Sequence, residues 1–516
     1  MTHVLAIDMG TGTAKAALVD ASGVVAASAM RPVPTITLPG GGVEQDPAAW
    51  WAAVRDAACE AIAAAALAPD AVDAVACTTQ WAVTVPVDAA GKPLANAVSW
   101  MDSRGAPHVR DLVGGRLSGY SARALLRFIR PTAGLPVLSG NDGLGHILHL
   151  KADRPDVYAA ADKLLEPSDY LNLRLTGMAR ATAGTMFPYW LADIRDPERA
   201  DYDDGLLALA GVDRAKLPEL AAPGSIVGGL TAAAAEDLGL AAGTPVLAGT
   251  TDLQSATVGA GAIGAGQGYF YIGTTSWLSC HVDAKRSDLR HMLTTMPAAL
   301  PGRYVTVAEQ GMAGRCLEWL RETLVPGEFE ELVALAESAP AGSNGLLFLP
   351  WLGGVSVPVD DAATRSAFVN QTFRTARADY VRAVLEGIAY NLRWLRPHVE
   401  KFAHTRFAEL TFIGGAAQSD LWCQICADVI GVPIRRVAEP RMANAVGCAL
   451  LAFAALGKLR ESELAERVQI GHVFAPDAER VAVHDAGFAA WRGFYKTMRK
   501  PYRGLSSRST SATQSR

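Results

Sequence analysis

The chain has 516 residues, 50% of them hydrophobic and 19% charged, with a formal net charge of -5. That length exceeds one ordinary core and predicts two large domains, while the mildly acidic balance excludes a nucleic-acid partner or an anionic membrane surface as the expected target. Asp8 and glycines stand where the apolar core of a signal peptide would sit, and the most apolar stretch, 57–77, is broken by Glu60, Pro69, Asp70 and Asp73, so a cytoplasmic protein with no membrane partner is expected.

In chain order, "AIDMGTGTAKAALVD" (6–20) reads as strand, Gly/Thr turn, strand. It fits neither common glycine motif: Lys15 is followed by two alanines rather than Ser or Thr, and the third glycine of the dinucleotide pattern is absent. "DASG" (20–23) turns a second hairpin, giving a β-meander. Asp46 and Pro47 open a helix as N-cap and first residue. A strand over 72–80 and a hairpin over 83–94, turning at 88–91, follow. A second strand-rich segment starts near Pro245 and contains "GYFYIGTTSWLSCHVD", which repeats the opening pattern around Gly273, Thr274 and Thr275. The echo predicts an internally duplicated, two-lobed protein with one hairpin from each lobe facing a shared cleft. The expected units are 1–248, 249–498 and a disordered Ser/Thr/Arg-rich tail, 499–516. "ARADYVRAVLEGIAYNLRWL" reads as a core-facing helix whose Gly387 allows close approach of a neighbour or ligand.

The chemistry concentrates at these turns. Gly10, Thr11, Gly12 and Thr13 offer backbone N–H groups and hydroxyls to an anion, and Lys15 could reach a terminal phosphate. Asp8, beside them, would repel a phosphate unless a cation such as Mg²⁺ intervened. Asp252 follows the apolar "PVLAG" strand in a small-residue loop, 250–255, where a carboxylate could take the proton of an acceptor hydroxyl. Gly414 and Gly415 break a strand–helix junction and leave room for a flat base. Trp81 and Trp100, with Gln80, Asp102 and Arg104 near them in sequence, suit a sugar. Each feature also has a plainer reading: strand-joining turns, turn-capping aspartates, core tryptophans. Cys423 and Cys426 form a lone C-x-x-C and read as buried inert thiols; no histidine cluster has metal spacing.

Together these motifs resemble the FGGY carbohydrate kinases. "IDMGTGTAK" and "YIGTTSW" are similar to the two phosphate motifs, "SWMDSRG" to the family's Trp-x-Asp-x-Arg, "LLEPSDYLNLRLTG" to its Asp-Tyr-Leu signature, and "FIGGAAQSDLWCQICADVIGVPI" to its adenosine motif. The resemblance implies an α/β, duplicated ribonuclease-H-like (actin/hexokinase/Hsp70) fold with an interdomain active-site cleft. It implies ATP and Mg²⁺, with Asp252 as catalytic base, Asp8 at the metal, and Gly414, Gly415, Ala416 and Ser419 at the nucleotide. Gln80 and Trp81 take the family's substrate pair, with Trp100 nearby. Three positions depart from the family: Gln80–Trp81 stands where xylulokinases carry Met-His and glycerol kinases Arg-Glu, Leu253 follows the base where Asn or Gln is usual, and "LPWLGGVSVP" lacks a Gly-Glu-Arg run. The expected activity is ATP-dependent phosphorylation of a sugar or polyol hydroxyl, with a pentulose such as D-xylulose leading and another ketose or polyol next. A non-catalytic nucleotide-dependent switch and a plain ATPase or phosphatase are the rivals. The resemblance also makes a homodimer plausible.

Overall fold

A computed structural model describes residues 2–513, with side chains described to residue 505. Strands β1 (His3–Met9), β2 (Thr13–Asp20) and β3 (Val25–Pro32) form the expected antiparallel meander. Helix α1 (Pro47–Ala65) starts where predicted, with the Asp46 carboxylate accepting from the Ala48 N–H at 2.9 Å. Strand β4 (Val72–Thr79) then lies parallel to β1, and β5 (Ile226–Gly229), β6 (Pro245–Leu247) and β7 (Thr250–Thr251) complete a seven-stranded sheet. Every residue of β1 is buried, as a central strand covered on both faces requires. Leu5, Ile7 and Met9 face Trp50, Trp51 and Val54 of α1, whereas Val4 and Ala6 join a core that continues into the second lobe.

After helix α2 (Asp252–Gly259) the second sheet begins at β8 (Gly268–Ile272), which pairs antiparallel with β9 (Ser276–Val282); β10 (Tyr304–Val307) and β11 (Glu309–Gln310) add to β9. Helices α3 (Gly314–Thr323) and α4 (Arg377–Ala403) precede β12 (Leu410–Ile413), α5 (Asp420–Ile430), β13 (Ile434–Val437) and α6 (Ala443–Ala455). Spatial order shows the duplication. The first sheet runs β3-β2-β1-β4-β6 through its centre and the second β10-β9-β8-β12-β13, with the same parallel and antiparallel choices. The two-lobed α/β architecture read from the sequence is thus present. Thr250 and Thr251 still pair with the first sheet, so strand pairing carries that lobe past the expected division at residue 248.

Helix α6 belongs to the second half of the chain yet packs on β1 and β4 of the first sheet. It crosses α2 backbone to backbone. A Cβ on Gly259 would stand 1.8 Å from the Ala443 carbonyl, and one on Gly447 1.9 Å from that of Ser255. Gly387 of α4 serves a similar contact, its missing Cβ lying 2.5 Å from the Phe348 carbonyl, which makes its neighbour protein rather than ligand. The C-terminal expectation changes: helix α7 (Ala478–Thr513) runs through residues 499–513, and only 514–516 of the expected disordered tail fall outside the described residues. Among the described residues no helix is long and apolar enough to cross a membrane.

Candidate active site

The first hairpin places its charges by register. Asp8 and Lys15 are directly opposite on β1 and β2, and the Lys15 ammonium donates to Asp8 Oδ2 at 2.7 Å. The turn is closed by the Gly10 N–H on the Thr13 carbonyl at 3.0 Å. At its tip the Thr11 hydroxyl donates to Gln80 Oε1 at 2.8 Å and accepts from Trp100 Nε1 at 2.9 Å. Gln45 closes the circuit, donating to the Thr11 carbonyl at 2.7 Å and accepting from Gln80 Nε2 at 2.6 Å. Gln80 is only 3% exposed, so its amide serves this circuit more than the cleft.

The second hairpin turns one residue more tightly, with the Gly273 N–H on the Thr275 carbonyl at 2.9 Å, and has different supports. Tyr271 and Trp277, paired across β8 and β9, stack at 4.0 Å and 13°. The backbone at the start of α3 holds the tip, Gly314 N–H donating to the Gly273 carbonyl at 2.8 Å and Ala313 N–H to the Thr274 carbonyl at 3.2 Å.

Asp252 stands between them. The predicted loop over 250–255 is instead a two-residue strand followed directly by a helix. The Thr251 hydroxyl and the Gln254 amide form a capping box that nucleates α2, and the pairing of β7 with Thr78 and Thr79 sets its origin beside Gln80. A hydroxyl pair, Ser255 Oγ and Thr78 Oγ1 at 2.6 Å, fixes the helix on β4. The carboxylate accepts from the Leu253 N–H at 2.7 Å and stays partly open to the cleft. Burial, with the charges of Asp8 and Glu309, pushes its pKa up to about 8, against the pull of the Leu253 N–H and Lys15. Glu309, on β11, is a carboxylate that sequence reasoning missed. Burial raises its own pKa and a Thr275 hydrogen bond opposes the rise. Nothing in "AEQG" marks it; only the pairing of Glu309 with Trp277 brings it to the cleft.

These groups line one cleft of about 1030 Å³. At one end, Gly414, Gly415 and Ala416 lie beside Arg441 and Asn444. Gly414 holds φ +97° with the Ile272 carbonyl 2.7 Å from where a Cβ would be, while Gly415 has open space there, as a flat group laid on the backbone needs. Ser419 is not among the lining residues: it is the N-cap of α5, its hydroxyl accepting from the Trp422 N–H at 3.2 Å. At the other end stand Trp81 and Trp100 together with Asn141, Phe187 and Trp190, the last three not foreseen. Asp102 and Arg104 do not line it. Buried Asp102 accepts from the Val43 N–H and pairs with Arg104, which reaches on to Glu44. Burial opposes ionisation of Asp102, but those donors hold its pKa below the usual range. Cys423 and Cys426 are buried, matching the inert-thiol reading, and burial raises the pKa of both. Away from the cleft, His108 and His149 both meet Asp153 Oδ2 at 2.8 Å, a grouping invisible in linear spacing.

The N-terminal domain of the FGGY family of carbohydrate kinases matches residues 3–259 and its C-terminal domain residues 268–456. The chain belongs to the FGGY family of carbohydrate kinases. It is 30% identical to a xylulose kinase of Staphylococcus epidermidis over 96% of both chains, and 30% identical to a glycerol kinase of Citrifermentans bemidjiense over 93% of this chain and 95% of that one. A xylulose kinase structure from Lactobacillus acidophilus shares the fold, with a TM-score of 0.84 at 24% identity over 98% of this chain and 100% of that one. An ATP-dependent carbohydrate kinase therefore occupies this duplicated frame, and both hairpin turns line its cleft.

Proposed function

We propose that this carbohydrate kinase phosphorylates a neutral ketose, D-xylulose or a close pentulose, with Asp252 as general base and Mg²⁺ held at Asp8. The observation that carries the reading is the position of Asp252: a carboxylate at a helix start, between two glycine turns, partly open to the cleft that both turns line. The Asp252 carboxylate takes the proton of the acceptor hydroxyl as the acceptor's oxygen bonds to the γ-phosphorus and the bond from that phosphorus to the ADP leaving oxygen breaks. With the Gly10 and Gly273 N–H groups closing the turns, the remaining N–H groups of 11–13 and 274–275 orient the phosphates, Lys15 adds positive charge, and Gly414, Gly415 and Ala416 carry the adenosine. Ser419 supports that end by capping α5. Closure of the lobes over both substrates excludes water.

The donor set fits a divalent cation. Asp8, Asp252 and Glu309 line one cleft, the charges of Asp8 and Glu309 both act on Asp252, and Lys15 is the ammonium paired with Asp8. When bound, Mg²⁺ neutralises charge on the transferring phosphoryl group.

The sugar's charge follows from the walls. The lining cations are Lys15, Arg315, Arg321 and Arg441, and none comes from the elements that carry Trp81, Trp100, Phe187 or Trp190. A carboxylate-bearing sugar would find aromatic rings and acidic groups there, so aldonates are disfavoured. Asp142 at this end is spoken for, accepting from Trp190 Nε1 at 2.7 Å and from the Val137 and Gly145 N–H groups. The 30% identity to relatives named xylulose kinase supports a pentulose; the glycerol kinase match makes glycerol the second substrate to try. The test is ADP release by the purified enzyme over a panel of ketoses, aldoses, polyols and aldonates. Release only with neutral ketoses, D-xylulose foremost, is expected. Sugar-independent release would make the protein an ATPase, and no release with any acceptor would favour a nucleotide-dependent scaffold.

A further inference from the structure

The cleft has two ends, one proposed for nucleotide and one for acceptor. Here a single hydroxyl joins them. Thr11 is the tip residue of the first phosphate turn, and its side chain points away from any phosphate duty into the acceptor wall. The hydroxyl proton goes to Gln80 at 2.8 Å and a lone pair takes the Trp100 indole N–H at 2.9 Å. The Thr11 carbonyl is held by Gln45, which also holds Gln80. Gln80 is anchored in turn by its own N–H on the Met9 carbonyl at 2.8 Å, and Gly12 by its carbonyl on the Val33 N–H at 3.0 Å. The turn therefore cannot shift under a phosphate without pulling on the Trp100 indole, and Trp100 cannot tilt under an acceptor without pulling on the turn.

We propose that Thr11 is a positioning residue that couples acceptor binding to nucleotide binding through Gln80 and Trp100. The proposal rests on the kinase reading above for the identity of the two ligands. Thr11→Val keeps the shape and removes both hydrogen bonds; Thr11→Ser restores them; Trp100→Phe keeps a ring and removes the indole donor. Two measurements separate the relay from the substrate assignment.

The first uses no sugar. In protein carrying ¹⁵N-labelled tryptophan, the Trp100 indole signal, assigned by its loss in Trp100→Phe, is followed as a non-hydrolysable ATP analogue with Mg²⁺ is added. It shifts in the natural and Thr11→Ser proteins and stays still in Thr11→Val. An indole signal indifferent to the analogue in the natural protein, or one that still responds in Thr11→Val, overturns the relay. The second is calorimetric: the analogue's Kd with and without saturating D-xylulose. Natural protein shows tightening of roughly five- to 150-fold, the usual span for coupled sites. In Thr11→Val and Trp100→Phe the ratio collapses to under about twofold, a result that lost local packing alone would not give while each ligand still binds singly. A full ratio in both variants overturns the proposal. Failure of D-xylulose to bind the natural protein would count against the substrate assignment, and the indole response would still decide the relay.

Discussion

The two Gly-Thr hairpins share a backbone plan and differ in what holds them. The first is polar and outward-bound: an Asp8–Lys15 ion pair lies on its strands, and its tip is bonded to Gln80 and Trp100 from other elements of its lobe. The second is apolar and inward-bound, steadied by a Tyr271–Trp277 stack and by the backbone of α3 just downstream. The duplicated fold has thus kept a glycine-led turn at the same place in each sheet, one residue shorter in the second, and diverged in the supports. The first turn is placed to report on the acceptor; the second is a fixed seat.

The largest way to break this picture is to remove the proposed base that stands between the hairpins. Asp252→Asn keeps the shape at the start of α2 but cannot take a proton, and turnover is expected to fall roughly 10²–10⁴-fold with the nucleotide KM little changed. A folded variant with unaltered kcat would mean that the hairpins flank some other base. Next comes one glycine from each turn. A Cβ on Gly273 would meet the Tyr271 hydroxyl at 2.0 Å, a ring end pinned by its stack, whereas one on Gly12 has nothing within 4 Å. Gly273→Ala is therefore expected to lower the melting temperature and raise the ATP KM about tenfold, of the order of 1.4 kcal/mol, while Gly12→Ala leaves the melting temperature unchanged. Equal behaviour in thermal scans would erase the contrast between fixed and reporting turns.

How much of this was legible in sequence follows the same line. The hairpins were readable because strand alternation and Gly/Thr turns are local signals, and their echo gave the duplication. Asp252 was readable as a carboxylate after an apolar strand. Its placement on a helix was not, because the Thr251–Gln254 capping box hides in a run of small polar residues that equally suits a loop. Glu309, Asn141, Phe187 and Trp190 reach the cleft only through long-range packing that no spacing encodes. Asp102 and Arg104 failed as sugar contacts for the converse reason: a polar motif beside a tryptophan looks like a binding site until Glu44 and the Val43 N–H claim it. The C-terminal tail misled through composition, since Ser-, Thr- and Arg-rich sequence predicted disorder where α7 runs on to Thr513.

A smaller effect is expected at Glu309, whose charge acts on Asp252, the proposed base, from the second hairpin's side. Burial and the neighbouring carboxylates push the Asp252 pKa up to about 8, so as the proposed base it gains its active form as pH rises through that value. The acid limb of kcat/KM for the sugar should fall about tenfold per pH unit below it. Glu309→Gln removes one of the two repelling carboxylates and should move the limb to lower pH by about one unit. Added Mg²⁺ should act in the same direction. A limb that stays in place would show that burial alone sets the base. Stability runs the opposite way from activity: the raised pKa makes the folded state hold a proton that the unfolded chain releases, so this contribution is full below pH 4 and lost as pH rises through about 8.

The smallest expected effect isolates what fixes the second turn. Tyr271 carries a hydroxyl that faces the carboxylates Asp252, Asp8 and Glu309, whose charges add to burial in raising its pKa, and a ring stacked on Trp277. If the ring is the support, Tyr271→Phe keeps it, and kcat/KM should stay within about threefold of the natural value, under roughly 0.7 kcal/mol. Tyr271→Ala removes the stack along with the hydroxyl and, the ring being only partly buried, should cost about 0.5–1.5 kcal/mol of folding stability, the usual worth of an aromatic pair. Chemical denaturation of the two variants side by side decides it. Comparable losses in both would give the hydroxyl, and with it the first hairpin's polar style of support, to the second turn as well.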